Sequence, residues 1–251
     1  MTFSRSEASR MMVARTAARL FAGQGVAATS GGDIAAAAGI SERTVWRYFR
    51  NKESCVEPLF AQTWQRFARE LRCWPRHLAL EPHLADQFAL DRHTPEEIAD
   101  MVLVVRLIAA LPDEPDLRSI WLHSYHDGEG EMAALIGDRL GRSHHDFEVR
   151  LCAAAVMGAV RTVDEAISRA AVCDGQAFTT EQVVAQMARA IRAVSNLPFC
   201  DPVAARPFGD AAVPPSRKKL PAQAPAPVPR KAAAPKAKEK APAAAARRTP
   251  R

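Results

Sequence analysis

Val13, Ala17, Leu20 and Phe21 recur at i, i+4, i+7 and i+8, the stripe of an amphipathic helix that begins near Ser6 and stops at Gly23 and Gly25. A second helix follows, with Ile34, Ala35 and Ala38 on its apolar side. Thr29 and Ser30 can each cap it, and Asp33, three residues after Ser30, makes a weak capping box. Gly39 ends this helix, Ile40 and Ser41 complete a three-residue turn, and Ser41 can accept from the free amides of a third helix reaching about Tyr48. Two short helices across a tight glycine turn predict a helix-turn-helix.

The same period continues downstream. Val56, Phe60, Trp64, Phe67 and Leu71 predict a long helix over residues 53–73. "TPEEIADMVLVVRLIAAL" carries a Thr94 cap, Pro95 at the first helical position and acids in the first turn, and Pro112 closes it. Two more helices are predicted over about 115–140 and 144–172, and "TTEQVVAQMARAIRAV" gives another with a Thr180 cap. The predicted fold class is all-α: a three-helix domain at 1–52, then a helical bundle at 53–200. From 201 to 251 the pattern fails. After Ala212 there is no glycine and no aromatic, only Ala-Pro and Lys-Ala pairs with 11 Lys+Arg against Glu239, so the segment is expected to be a disordered basic tail.

Charge divides along the same boundaries. The net +6 resolves into +5 for residues 1–52, −8 for 53–200 and +9 for 201–251, two basic ends suited to a polyanion and an acidic middle that repels one. Nucleic acid is the candidate partner. On the third helix Val45 and Phe49 point one way, while Arg43, Thr44, Arg47 and Tyr48 sweep the opposite arc. Guanidinium forks beside a hydroxyl and a phenol suit the major groove, where arginine reads guanine edges or grips phosphates. Trp46 falls beside Glu42 and Phe49 near the buried edge, where its indole can either pack or donate to a phosphate. Lys52 is the only lysine in the first 200 residues, against 21 arginines, and is expected to clamp a phosphate as a point charge.

Residues 20–54, "LFAGQGVAATSGGDIAAAAGISERTVWRYFRNKES", resemble the tetracycline-repressor (TetR) family through the pattern T-x-x-x-x-I-A-x-x-A-G-[VI]-S-x-x-T-[VL]-[YWF]-x-[HY]-F-x-x-K-[ED]. The resemblance implies a homodimeric, ligand-responsive transcriptional regulator, most simply a repressor released by a small-molecule effector. It places DNA contacts on Thr44, Trp46, Tyr48 and Lys52, helped by Thr29 and Ser30, with Ser41, Arg43 and Arg47 added by the helical arc. It further implies a pocket among the central helices that Trp64, Met101, Val105, Trp121 and Tyr125 can line, and a dimer interface on the last two helices through Ala155, Gly158, Ala159, Thr162, Met187 and Ile191. Two such subunits demand a pseudo-palindromic operator in double-stranded DNA. Gly31 and Gly32 depart from the family, which usually has an apolar and a polar residue there, and are expected to loosen the second helix.

Other chemistries find less support. Five cysteines without CxxC spacing argue against a disulfide framework or zinc knuckle. His123, His126 and Asp127 form an H-x-x-H-D cluster with no third ligand spaced to join it, so neither metal nor cofactor is expected. No nucleophile elbow, phosphate-binding glycine loop or HExxH appears, which leaves an enzyme without a motif. No apolar run reaches about 18 residues, so no membrane partner is expected and the chain reads as cytoplasmic, associated with the nucleoid. The alternative is an architectural chromosome-binding protein that uses the helix-turn-helix and the tail without responding to a ligand.

Overall fold

Local capping decides where the helices start. Ser30, rather than Thr29, opens the second helix: its hydroxyl accepts from the Asp33 amide at 3.1 Å while the Asp33 carboxylate accepts from the Ser30 amide at 2.8 Å. Thr94 and Glu97 make the same reciprocal pair at 94–97. Thr179, with Gln182, caps the last long helix one residue before the expected Thr180.

The computed structural model describes residues 5–204; the basic segment from residue 205 onward lies outside the described residues. Among them are nine α-helices and no strand. The first three are α1 (Arg5–Gln24), α2 (Gly31–Ala37) and α3 (Glu42–Tyr48). After a 3-10 turn at Glu53–Val56 come α4 (Glu57–Arg72), α5 (Leu80–Gln87), α6 (Pro95–Ala110), α7 (Pro115–Leu140), α8 (Phe147–Cys173) and α9 (Thr180–Val194). Asp201 to Ala204, expected in the tail, are instead tied down. Val203 donates to the Arg76 carbonyl at 2.8 Å, Arg76 Nε to the Ala204 carbonyl at 2.8 Å, and Arg192 pairs with Asp201 at 2.8 Å.

The α2–α3 turn depends on Gly39 at φ 66, a left-handed conformation that glycine adopts without steric cost. With Gly39 there, its amide donates to the Ala36 carbonyl at 3.2 Å and the Ile40 amide to the Ala35 carbonyl at 3.0 Å. These two carbonyls of the last turn of α2 are thereby satisfied, and the chain is turned into Ser41.

Two apolar clusters hold the rest. Val13, Phe21, Ile34, Val45 and Phe49 of the first three helices share one with Phe60, Leu107, Leu117 and Trp121, so α1 rests directly on α4 and α6 rather than hanging from a linker. Leu71, Leu84, Met132, Val156, Met187 and Ile191 anchor the second, which joins α4, α5, α7, α8 and α9. Tyr125 packs against both.

The sequence pattern did not reveal α5. It has eight residues and no side-chain cap, and tertiary contacts stabilise it: Leu80 and Leu84 are buried, and His83 stacks on Trp74 at 5.8 Å.

Candidate nucleic-acid interface and interior cavity

Ser41 sets α3. Its hydroxyl accepts from the Thr44 amide at 3.2 Å and lies 2.8 Å from the Thr44 hydroxyl. Val45 and Phe49 are buried, fixing the rotation of the helix, so the opposite arc faces outward. Glu42, Arg43, Trp46 and Arg47 are exposed, and Thr44 and Tyr48 are half-buried. Arg43 makes no hydrogen bond or ion pair with the described residues. Arg47 lies over the Tyr48 ring at 5.0 Å and donates to its hydroxyl at 3.3 Å. Ser30 is exposed at the start of α2, and its hydrogen bonds hold the Asp33 carboxyl below the usual carboxylate range.

Two expected DNA contacts are corrected. Thr29 is 1 % exposed; its hydroxyl donates to the Gly25 carbonyl at 2.8 Å and receives Gln24 at 3.2 Å, so it closes the α1–α2 loop. Lys52 turns inward as well. Its ammonium donates to the Val26 carbonyl at 2.6 Å and the Thr29 carbonyl at 3.0 Å, with Glu53 at 3.9 Å. This role accounts for a lone lysine among arginines: three rotatable donors on a compact head can satisfy carbonyls of a loop that a planar fork fits poorly.

The position of Trp46 also accounts for the Gly31 departure. Trp46 donates its indole N–H to Glu42 at 3.1 Å and lays its ring against Gly31, where a Cβ would stand 2.0 Å from the ring carbon Cζ2. Gly31 is therefore the space the indole occupies, while a Cβ at Gly32 meets nothing nearer than 3.6 Å. We expect Gly31→Ala and Trp46→Ala to couple by about 1 kcal/mol or more in a double-mutant cycle read by denaturant unfolding, with Gly32→Ala as the neutral-to-stabilising control. Strict additivity would contradict the contact.

Behind this domain, α4, α6, α7 and α8, with Gln87 of α5 and Met187 of α9, line a cavity of about 130 Å³. Trp64, Met101, Trp121 and Tyr125 line it as expected. Val105 does not; α6 turns Val104, Leu107 and Ile108 into the core, and Val105 falls on the flank. Polar residues absent from the expected set also line it, among them Arg66, Glu70, His93, Asp100 and Asp164. Tyr125 donates to Asp164, and burial pushes the Tyr125 phenol well above its usual range. Burial, reinforced by Glu165, raises the Asp164 carboxyl to about 6 against the lowering effect of that hydrogen bond. Asp100 pairs bidentately with Arg15 of α1, at 2.9 and 2.7 Å, and Glu96 adds a second acid to the same guanidinium. Arg66 pairs with Glu97 at 3.0 Å while its Nε is buried without an acceptor.

The outer side of α8 carries an apolar stripe among exposed Glu148, Arg150 and Arg169. Ala155, Gly158 and Ala159 are half-buried and Thr162 is exposed, its hydroxyl turned back to the Gly158 carbonyl at 2.8 Å. Phe147 and Leu151, absent from the expected set, continue this stripe at 76 % and 50 % exposure. Met187 and Ile191 are corrected: at 3 % and 2 % exposure they belong to the second core, and Met187 borders the cavity. On an amphipathic helix the largest apolar residues face their own core, and only exposure separates these from an outer stripe. His123 and His126 are exposed on α7 and pair with Asp127 and Glu129, both at 3.7 Å.

Comparison with known proteins adds the relationship. The profile described as "Bacterial regulatory proteins, tetR family" matches residues 14–59, and "MftR C-terminal domain" matches 87–194. A protein described as a TetR-family transcriptional regulator from Rhodococcus sp. shares the fold at TM-score 0.50 and 18% identity, over 74% of this chain and 98% of that one. Salmonella enterica GusR aligns at 0.48 and 19%, over 74% and 96% of the two chains. Thermus thermophilus FadR, solved with lauroyl-CoA, aligns at 0.48 and 19%, over 74% and 92%. No curated protein sequence matches. No described helix is long and apolar enough to cross a membrane. On the two profiles and the helix-turn-helix they cover, the chain belongs to the TetR family of DNA-binding transcriptional regulators.

Proposed function

We propose that the chain works as a homodimeric repressor whose operator binding is released when a small molecule fills the cavity. One observation carries the proposal: Asp100 lines the cavity and its carboxylate holds Arg15 of α1, the helix against which α2 and the turn before α4 pack. A ligand that shifts α6 therefore reaches the DNA-binding helices through the ion pairs of Arg15 and the packing of α1 on α6. The coupling needs two arrangements of α6 with different fits to the ligand, and release follows from differential affinity. Ser30, Ser41, Arg43, Thr44, Trp46, Arg47 and Tyr48 form the proposed DNA surface, with Thr29 and Lys52 supporting it from within.

Dimerisation is assigned to the stripe from Phe147 through Leu151 and Ala155 to Thr162, with α9 alongside. Gly158 gives the cleanest test, because nothing lies within 4 Å of a Cβ built there. Gly158→Leu is expected to fold, with an unfolding midpoint near that of the parent, yet to sediment as a monomer at concentrations where the parent is a dimer. Unchanged sedimentation would remove this interface.

The function as a whole is tested by sequencing the genomic fragments retained by the pure protein. A regulator enriches a few pseudo-palindromic promoter sites; even coverage of the genome refutes it.

A further inference from the structure

We propose that the cavity takes a cationic amine with an apolar, single-ring body, and that the Asp164 carboxylate is its counter-ion. This rests on the reading of the cavity as the effector site and names the chemical class that fits it.

Asp164 is the acid in this wall without a cation. Asp100 is matched by Arg15, Glu70 lies 3.7 Å from Arg69, and no ion pair among the described residues includes Asp164. The nearest arginine on its own helix, Arg161, is committed to Glu165 at 2.9 Å. Tyr125 supplies the one hydrogen bond Asp164 has. A half-buried carboxylate with no countercharge is less favourable than a paired one, and a ligand that brings the charge relieves it.

The surrounding groups favour the same occupant. Trp121 lies 4.6 Å from Tyr125 and 5.0 Å from Phe60, and Trp64 lies 5.9 Å from Phe67. Both indole N–H groups are already bound to carboxylates, Trp64 to Glu131 at 3.0 Å and Trp121 to Glu165 at 3.2 Å. With both N–H donors engaged, the two indoles give the cavity aromatic surface rather than a free donor, and aromatic rings attract cations. A ligand carboxylate in the same place faces Asp164 and gains only the buried Nε of Arg66, whose charge is already balanced by Glu97. The volume of about 130 Å³ is near the order of 150 Å³ that accommodates one benzene ring, which favours a single-ring body over a larger one.

Protonation gives an independent readout. The charged and titratable groups facing Asp164 are Tyr125 from α7, Glu165 and Arg161 on its own helix, Arg66 and Glu70 from α4, Asp100 with Arg15 from α6 and α1, and His93 before α6. With its carboxyl at about 6, Asp164 is largely ionised near pH 7 and largely protonated near pH 5. Amine binding should therefore weaken about tenfold between about pH 7 and about pH 5, while the amine itself stays charged.

The probes are benzylamine, benzyl alcohol and benzoate, measured by calorimetry on the full chain. Benzylamine should bind at least tenfold more tightly than benzyl alcohol, and benzoate should give no heat. Asp164→Asn should abolish the amine's advantage while leaving benzyl alcohol unaffected. Should that variant fail to fold, the pH comparison on the unaltered chain decides alone. Equal binding of all three probes, binding of none, or preference for benzoate with loss in Arg66→Gln overturns the proposal. Operator release, followed separately, keeps the two readings apart. An amine that binds through Asp164 without releasing DNA contradicts the effector reading only; release by other compounds, with no amine binding, contradicts this proposal only.

Discussion

Replacing Arg43 with alanine should lower operator affinity by between about 30-fold and about 10⁴-fold and leave the unfolding midpoint unchanged. A bidentate arginine–base contact discriminates by about 1–3 kcal/mol, and a dimer makes it twice. Stability is unaffected because Arg43 is exposed and makes no bond with the described residues, so truncation orphans nothing in the fold. Arg47 differs, since its guanidinium also lies over Tyr48; its truncation should alter the position of the phenol as well as the charge. Band-shift titrations at several salt concentrations separate the two roles. Loss of a base contact changes which sequence is preferred; loss of a phosphate contact weakens all sequences alike and flattens the salt slope by about one ion per subunit.

Arg15→Ala should cost about 2–3 kcal/mol of stability and disconnect the cavity from the DNA-binding helices. Breaking a fully buried pair by removing one partner costs about 3–5 kcal/mol, because the remaining charge is left uncompensated. Here Asp100 has 7% side-chain exposure but Arg15 has 22%, so water offsets part of the loss. The guanidinium's pKa is raised chiefly by its hydrogen bond to Asp100, which marks that bond as the main support of its charge. In this variant operator binding should persist at low temperature, and the ligand concentration that fills the cavity should no longer release DNA. Urea unfolding measures the first effect and ligand-titrated band shifts the second. A variant that is fully stable and still releases DNA would show that coupling bypasses the pair.

The helix-turn-helix was legible because its determinants are local. Gly39, the Ser30–Asp33 box and the Ser41 cap lie within a few residues of the groups they satisfy, so sequence spacing alone locates them. The same holds for Thr94 and Pro95 at the start of α6. What escaped depends on partners distant in sequence. Lys52 reads as a free cation until the loop carbonyls of Val26 and Thr29, over twenty residues earlier, are seen to receive it. Gly31 reads as a weakness until the Trp46 ring is found in its place. Asp164 carries no local signature, since its meaning comes from Tyr125 on another helix and from the cations it lacks. Met187 and Ile191 failed as interface candidates for a related reason: periodicity marks an apolar face, but not whether that face meets its own chain or a second one.

In the proposed complex the arc of Arg43, Thr44, Arg47 and Tyr48 enters the major groove of two half-sites. Guanine-N7 methylation interference tests it directly, because N7 lies on the major-groove edge that arginine reads. The predicted result is interference at guanines in two major-groove segments on one face of the duplex, about one helical turn apart, with one guanine in each half-site losing its effect in Arg43→Ala. Binding that tolerates N7 methylation throughout, and responds only to minor-groove modification, contradicts it.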